Sequence, residues 1–142
     1  MYSFRKSKKG FTLIELMVVV AIIGVLALLG LRLYTGQQQK AKNAIVKANA
    51  GTVQTLIQAE LADAPYDTVK GLVGAAGTAS SLIEASGIHV PDGGAQTDNG
   101  TTAGDAGEVF VTPYDSGEYF EVDGNAFGGG SVYSANPLSA RK

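Results

Sequence analysis

Glu15 is the one charged residue in a run of 21, Phe11 to Leu31, that reads FTLIELMVVVAIIGVLALLGL. The run contains no Lys, Arg or His, so a cation able to meet this carboxylate has to come from outside it. An acidic residue at the centre of a bilayer costs roughly 2.5–3.5 kcal/mol on insertion scales, and less toward the end of a span, where Glu15 sits. An ionisable group in such a place points to a function with a definite partner. An amino terminus newly exposed at Phe11 of a neighbouring chain would serve, since it brings the positive charge that the segment lacks.

The elements that must position Glu15 are set by the same stretch. Twenty-one helical residues rise by ~30 Å, about the thickness of a bilayer's hydrocarbon core. Arg5, Lys6, Lys8 and Lys9 precede them, and the positive-inside rule then places the N-terminus in the cytoplasm and exports the chain beyond Leu31. A secretory signal peptide also has a basic and then an apolar region, but this run is too long for its apolar part. No A-x-A-like cleavage site comes after Leu31 either. Instead RLYTGQQQKAKNA carries on with helical composition, and apolar residues recur at Ala41, Ile45, Ala48, Val53, Leu56, Ile57 and Leu61. Pro65 marks the stop. A single helix from Phe11 to about Ala62 would be ~78 Å long, more than the rest of the chain can cover. Its first half must lie in lipid or against copies of itself.

The basic leader, Gly10, Phe11 and then TLIELMVVVAIIGVLA closely resemble the prepilin signature of bacterial type IV pilins and pseudopilins, over Lys6 to about Ala50. The resemblance implies that residues 1–10 are a leader, removed by a prepilin peptidase that cuts between Gly10 and Phe11 and N-methylates Phe11. Glycine suits the cut, because without a side chain its carbonyl can be approached closely. Glu15 then falls at the family's fifth mature position, whose carboxylate pairs with the Phe11 amine of the adjacent subunit. Gly24 and Gly30, with Ala27, allow close approach between helices, and each glycine weakens a helix by ~1 kcal/mol relative to Ala. Pilins usually carry a proline where this chain has Arg32, which reads as an interfacial side chain reaching toward the headgroups.

The expected fold is α+β: one long N-terminal helix, transmembrane over 11–31 and exported over 32–63, with a small antiparallel sheet packed on its C-terminal half. Residues 64–142 form the head. Within it, Thr78 to Ser86 reads as a short helix and 91–107 as a Gly-rich loop. Glu108 to Thr112, Glu118 to Val122 and Ser131 to Ala135 read as strands, the first two joined by a Pro-Tyr-Asp-Ser-Gly turn.

Composition narrows the chemistry of that head. The 142 residues include no cysteine, which excludes disulfides, thiolate nucleophiles and Cys-bearing metal sites. The single histidine, His89, leaves little for a triad or a His-based metal site. Four of the eleven basic residues lie in the leader, so a chain starting at Phe11 carries seven against thirteen acidic ones. That balance gives no support to electrostatic binding of nucleic acid. Asp92, Asp98, Asp105, Asp115, Glu118 and Asp123 are oxygen donors of the kind calcium takes, with Asp115 and Asp123 the candidates in the strand region. No EF-hand spacing is present, and a solvated acidic surface explains the same residues. Asn99-Gly100-Thr101 fits a glycosylation pattern, and Tyr114, Tyr119, Phe120, Phe127 and Tyr133 are candidates for an adhesive patch or for core.

Nothing in the sequence reads as an enzyme or calls for a cofactor. The resemblance implies a structural subunit of a type IV pilus, drawn from the inner membrane into an extracellular homopolymer by an assembly platform and its ATPase. Adhesion, twitching motility and DNA uptake are the processes such fibres serve. The alternative is a pseudopilin of a type II secretion or competence system, against which the lack of tryptophan and of a D-P-W-G-like stretch counts.

Overall fold

The computed structural model describes residues 10–73, 81–93, 106–133 and 136–142. It resolves into two compact units, one reaching to Gln37 and one from Gln38 to Lys142. The first helix, α1 (Leu13–Asp63), contributes to both.

In the first unit α1 is apolar around its whole circumference, and among the described residues its side chains find nothing to pack on. Seventeen large apolar residues between Phe11 and Tyr34 are exposed. This part of α1 is long and apolar enough to cross a membrane.

In the second unit the pattern of α1 narrows to one stripe. Val46, Ala50, Val53, Ile57 and Leu61 recur at spacings of three and four, and all are buried. The stripe expected from Ala41, Ile45 and Ala48 is therefore out of phase: all three are exposed, and the buried face runs through Val46 and Ala50 instead. Leu56 is only half-buried, whereas Val53, Ile57 and Leu61 hold as read. The helix ends where Pro65 has no N–H to continue the ladder. The Pro65 carbonyl then accepts from the amides of Thr68 and Val69, opening α2 (Tyr66–Val73). Its buried Tyr66, Val69 and Val73 lie three and seven residues apart on one face. This helix adds to the expected set, and α3 (Ser81–Ala85) falls within the expected Thr78–Ser86.

Among the described residues three strands complete the unit: β1 (Val109–Tyr114), β2 (Tyr119–Gly124) and β3 (Leu138–Arg141). They form an antiparallel sheet in the order β1-β2-β3, with Val111 opposite Val122 and Phe120 opposite Ala140. The third strand lies beyond the expected Ser131–Ala135, of which Ser134 and Ala135 fall outside the described residues. There, Gly128, Gly129 and Gly130 all have positive φ and turn the chain back, so that Ser131 makes only an isolated bridge to Asn125. Alternate residues Val109 and Val111, Phe120 and Val122, and Ala140 complete the core on the α1 stripe, joined by Val69, Val73 and Ile83. Full burial of one such side chain is worth about 1.5–3 kcal/mol.

Polar side chains beside the stripe fasten loops to α1. Asn43 Oδ1 accepts from the Phe127 amide at 2.8 Å, and Asn49 donates to the His89 carbonyl at 2.9 Å. Gln54 donates to the Ser139 carbonyl on β3 at 2.8 Å, and the Tyr133 hydroxyl to the Lys47 carbonyl at 3.1 Å. Sheet and helix approach closely at Gly124, where a Cβ would overlap Val46 Cγ1 and meet Val132 Cγ2 at 3.3 Å. Gly124→Ala should therefore destabilise this unit by about 1–3 kcal/mol, measured by chemical unfolding of the detergent-solubilised chain. Gly36→Ala, with open space around it, should leave the midpoint unchanged or slightly raised.

Candidate functional site

The site grows from the way α1 begins. Gly10 and Phe11 precede the helix, and Phe11 is 89% exposed. Thr12 is the N-cap, its carbonyl accepting from the Leu16 amide at 3.3 Å. Helix starts leave amides without partners, and here Thr12 and Glu15 satisfy one another. The Glu15 amide donates to Thr12 Oγ1 at 3.3 Å, while the Thr12 amide and hydroxyl donate to Glu15 Oε2 at 2.8 and 2.9 Å. This is a capping box, Thr-x-x-Glu. Both Thr12 donors fall on one carboxylate oxygen, and Oε1 has no partner among the described residues. Sequence reasoning found Glu15 and missed Thr12, although the spacing of the two carried the signal.

Gly24 and Gly30 sit in uninterrupted α-helix, and a Cβ at either would meet none of the described residues within 4 Å. Their lack of a side chain therefore serves no contact among those residues. Arg32 is also within the helix, its carbonyl accepting from the Thr35 hydroxyl at 3.1 Å.

The calcium candidates are dispersed. Asp115, in the β1–β2 turn, takes Lys70 Nζ on both oxygens at 2.6 and 2.8 Å and the Tyr66 hydroxyl at 3.0 Å. Lys70 foremost, and then Tyr66, hold its carboxyl below the usual carboxylate range. Burial, reinforced by Asp115, pushes Tyr66 up to about 12. Asp123 is buried on β2, accepting from the Gly124 amide at 2.7 Å and the Ser131 hydroxyl at 2.5 Å. Asp92 pairs with Lys42 at 2.5 Å, and Glu118 is exposed in the turn. Asp98, Asp105 and Asn99-Gly100-Thr101 lie outside the described residues. Among the described residues, no three acidic or His side chains gather as a metal site would need.

The aromatic candidates separate in the same way. Phe120 is core, its ring centroid 4.9 Å from that of Tyr66. Phe127 lies under Lys42 and Tyr133 under Lys47, at 4.8 and 5.6 Å from nitrogen to ring centroid. Tyr114 and Tyr119 stack across β1 and β2 with nearly parallel rings, and the Arg141 guanidinium lies 4.8 Å over Tyr119. His89 is exposed.

An apolar helix of membrane length, opened by a capped carboxylate and followed by a small antiparallel sheet, defines an α+β chain whose first helix exposes apolar surface on every side. A family model for the prokaryotic N-terminal methylation motif matches residues 5–31. The type IV major fimbrial protein FimA of Dichelobacter nodosus is 36% identical over 94 residues, covering 61% of this chain and 59% of that protein. Fimbrial protein Q of Moraxella bovis is 35% identical over 105 residues, covering 67% and 66%. Fimbrial protein EcpB of Eikenella corrodens is 45% identical over 62 residues, covering 44% and 39%. The chain belongs to the type IV pilin family. It spans about three-fifths of the length of the first of these relatives. No solved structure matches it.

The Lys70–Asp115–Tyr66 cluster sets a pH window. Asp115 has a depressed folded pKa, so its contribution is complete above the unfolded value near ~3.9 and is lost as pH falls through the folded one. Tyr66 is raised, so its contribution is complete below an unfolded value near ~10 and is lost as pH climbs through about 12. Unfolding midpoints should be level through neutral pH and drop at both ends. Asp115→Asn should flatten the acid limb and, because Asp115 also helps to raise Tyr66, bring the alkaline drop to lower pH, read from midpoints across a pH series.

Proposed function

We propose that this chain is a structural subunit of a type IV pilus, stored in the inner membrane and polymerised through its N-terminal helix. The single observation that carries this reading is the exposure of the apolar helix from Phe11 to Tyr34. Covering its seventeen large side chains is worth on the order of 30 kcal/mol. A chain with that much uncovered apolar surface stays in lipid or joins other copies of itself. The protein is structural and not an enzyme, in keeping with the fimbrial relatives.

The finer steps rest on the same logic. A prepilin peptidase cuts between Gly10 and Phe11 and methylates the Phe11 amine, with the N-terminus on the cytoplasmic face. Residues 11–31 span the membrane, 32–63 continue the exported helix, and 64–142 form the head. Glu15 receives the Phe11 amine of the neighbouring subunit, and Gly24 and Gly30 let helices approach closely. An assembly platform and its ATPase drive extension into a surface filament serving adhesion, twitching motility or DNA uptake. The open space around both glycines and the exposed ends of Phe11 and Glu15 support these roles. The fimbrial names of the relatives favour a pilus over a secretion pseudopilus.

Two variants test the core of this. Gly10→Val should accumulate as the uncut precursor, a heavier band on a denaturing gel, whereas normal processing would contradict the cleavage site. Glu15→Val should insert and be cut, yet leave sheared surface fractions without fibres. Wild-type fibre yield from that variant alone would remove Glu15 from assembly.

A further inference from the structure

Resting on the pilin reading, we infer that Thr12 is a positioning residue for docking: it anchors the Glu15 carboxylate by one oxygen and leaves the other for the incoming amine. A carboxylate has two oxygens and about four acceptor positions. The amide and hydroxyl of Thr12 both donate to Oε2, at 2.8 and 2.9 Å. Oε1 meets no donor among the described residues, and an ammonium arriving from a second copy can bind there with the cap intact. Docking then adds a bond to an oriented acceptor and breaks none.

Each competing arrangement would behave differently. A Glu15 without local partners would rotate freely, and ordering its side chain would oppose docking. A Glu15 held on both oxygens would have to surrender its cap to accept the amine. The one-oxygen arrangement avoids both penalties, and it depends on the Thr12 hydroxyl as well as the amide. The return bond from the Glu15 amide to Thr12 Oγ1, at 3.3 Å, holds the hydroxyl in place, so the geometry is closed by three bonds between two residues.

The test compares Thr12→Val, which keeps the side-chain shape and loses the hydroxyl, with Thr12→Ser, which keeps the hydroxyl. The full-length chains are expressed in cells that lack the wild-type copy. Fibre protein in the sheared fraction is normalised to mature subunit in the membrane, so that differences in expression or processing drop out. The Val variant should give a normalised yield lower by about fivefold, the size of effect expected for a lost cap. The Ser variant should restore it. A Val variant at wild-type yield, or a Ser variant as poor as Val, overturns the assignment of the hydroxyl. Glu15→Val in the same series keeps the two readings apart. If it assembles normally, docking at Glu15 is wrong and the inference falls with it. If it fails while Thr12→Val assembles normally, only the role of Thr12 is lost.

Discussion

The structure depends on how far α1 remains apolar around its circumference. An amphipathic helix can be satisfied by one layer of its own chain, whereas a helix that is apolar on every side has to be surrounded. Up to Tyr34 the large side chains of α1 point in all directions and stay exposed, and from Val46 onward burial collapses to a single stripe. The head needs only to cover that stripe. A three-stranded sheet and two short helices suffice, which is why a chain with so few residues after Pro65 can still close a core.

The division between these regimes was legible in the sequence because hydropathy changes abruptly, whereas the phase of the stripe was not. Between Ala41 and Ala50 the helix offers two apolar faces, one through Ala41, Ile45 and Ala48 and one through Val46 and Ala50. Spacing does not rank them. The choice is tertiary: Val46 meets Gly124, a strand position with no side chain to hold the helix off. Lys42 and Lys47, on the flanks of that stripe, lie over Phe127 and Tyr133. Their ammonium groups meet ring faces, and the aromatic candidates beneath them become clamps between helix and loops.

The strands show a related limit. β1 and β2 were readable from alternation around a turn, since hairpin partners are close in sequence and their register is set by the turn. The third strand lies several residues later than alternation suggests, because Ser131–Ala135 has strand-forming residues but sits just after three glycines of positive φ. The partner of β2 is instead Leu138–Arg141, whose Ala140 is small enough to lie opposite the buried Phe120. Helix α2 was hidden for a simpler reason: eight residues interrupted by Gly71 carry too little periodicity to stand out. The acidic candidates were likewise readable as a set but not in their partners. Asp115 and Asp123 sit at opposite ends of the β1–β2 hairpin, one joined to a lysine and the other to a serine and an amide.

At the head of α1 the same carboxylate answers two different needs. A helix that starts at the edge of an apolar phase exposes amides which water reaches poorly, and each unsatisfied one is costly there. Thr12 and Glu15 satisfy two of those amides by mutual hydrogen bonds, and a negative charge in the first turn is favoured by the helix dipole. Glu15 is therefore anchored in a lone subunit, before any neighbour arrives. An aspartate would retain the charge with a shorter reach back to the Thr12 amide, and a glutamine would keep a capping oxygen without the charge. Glutamate at the third helical position caps its own helix and, in the docking proposed above, is also the anion for the next.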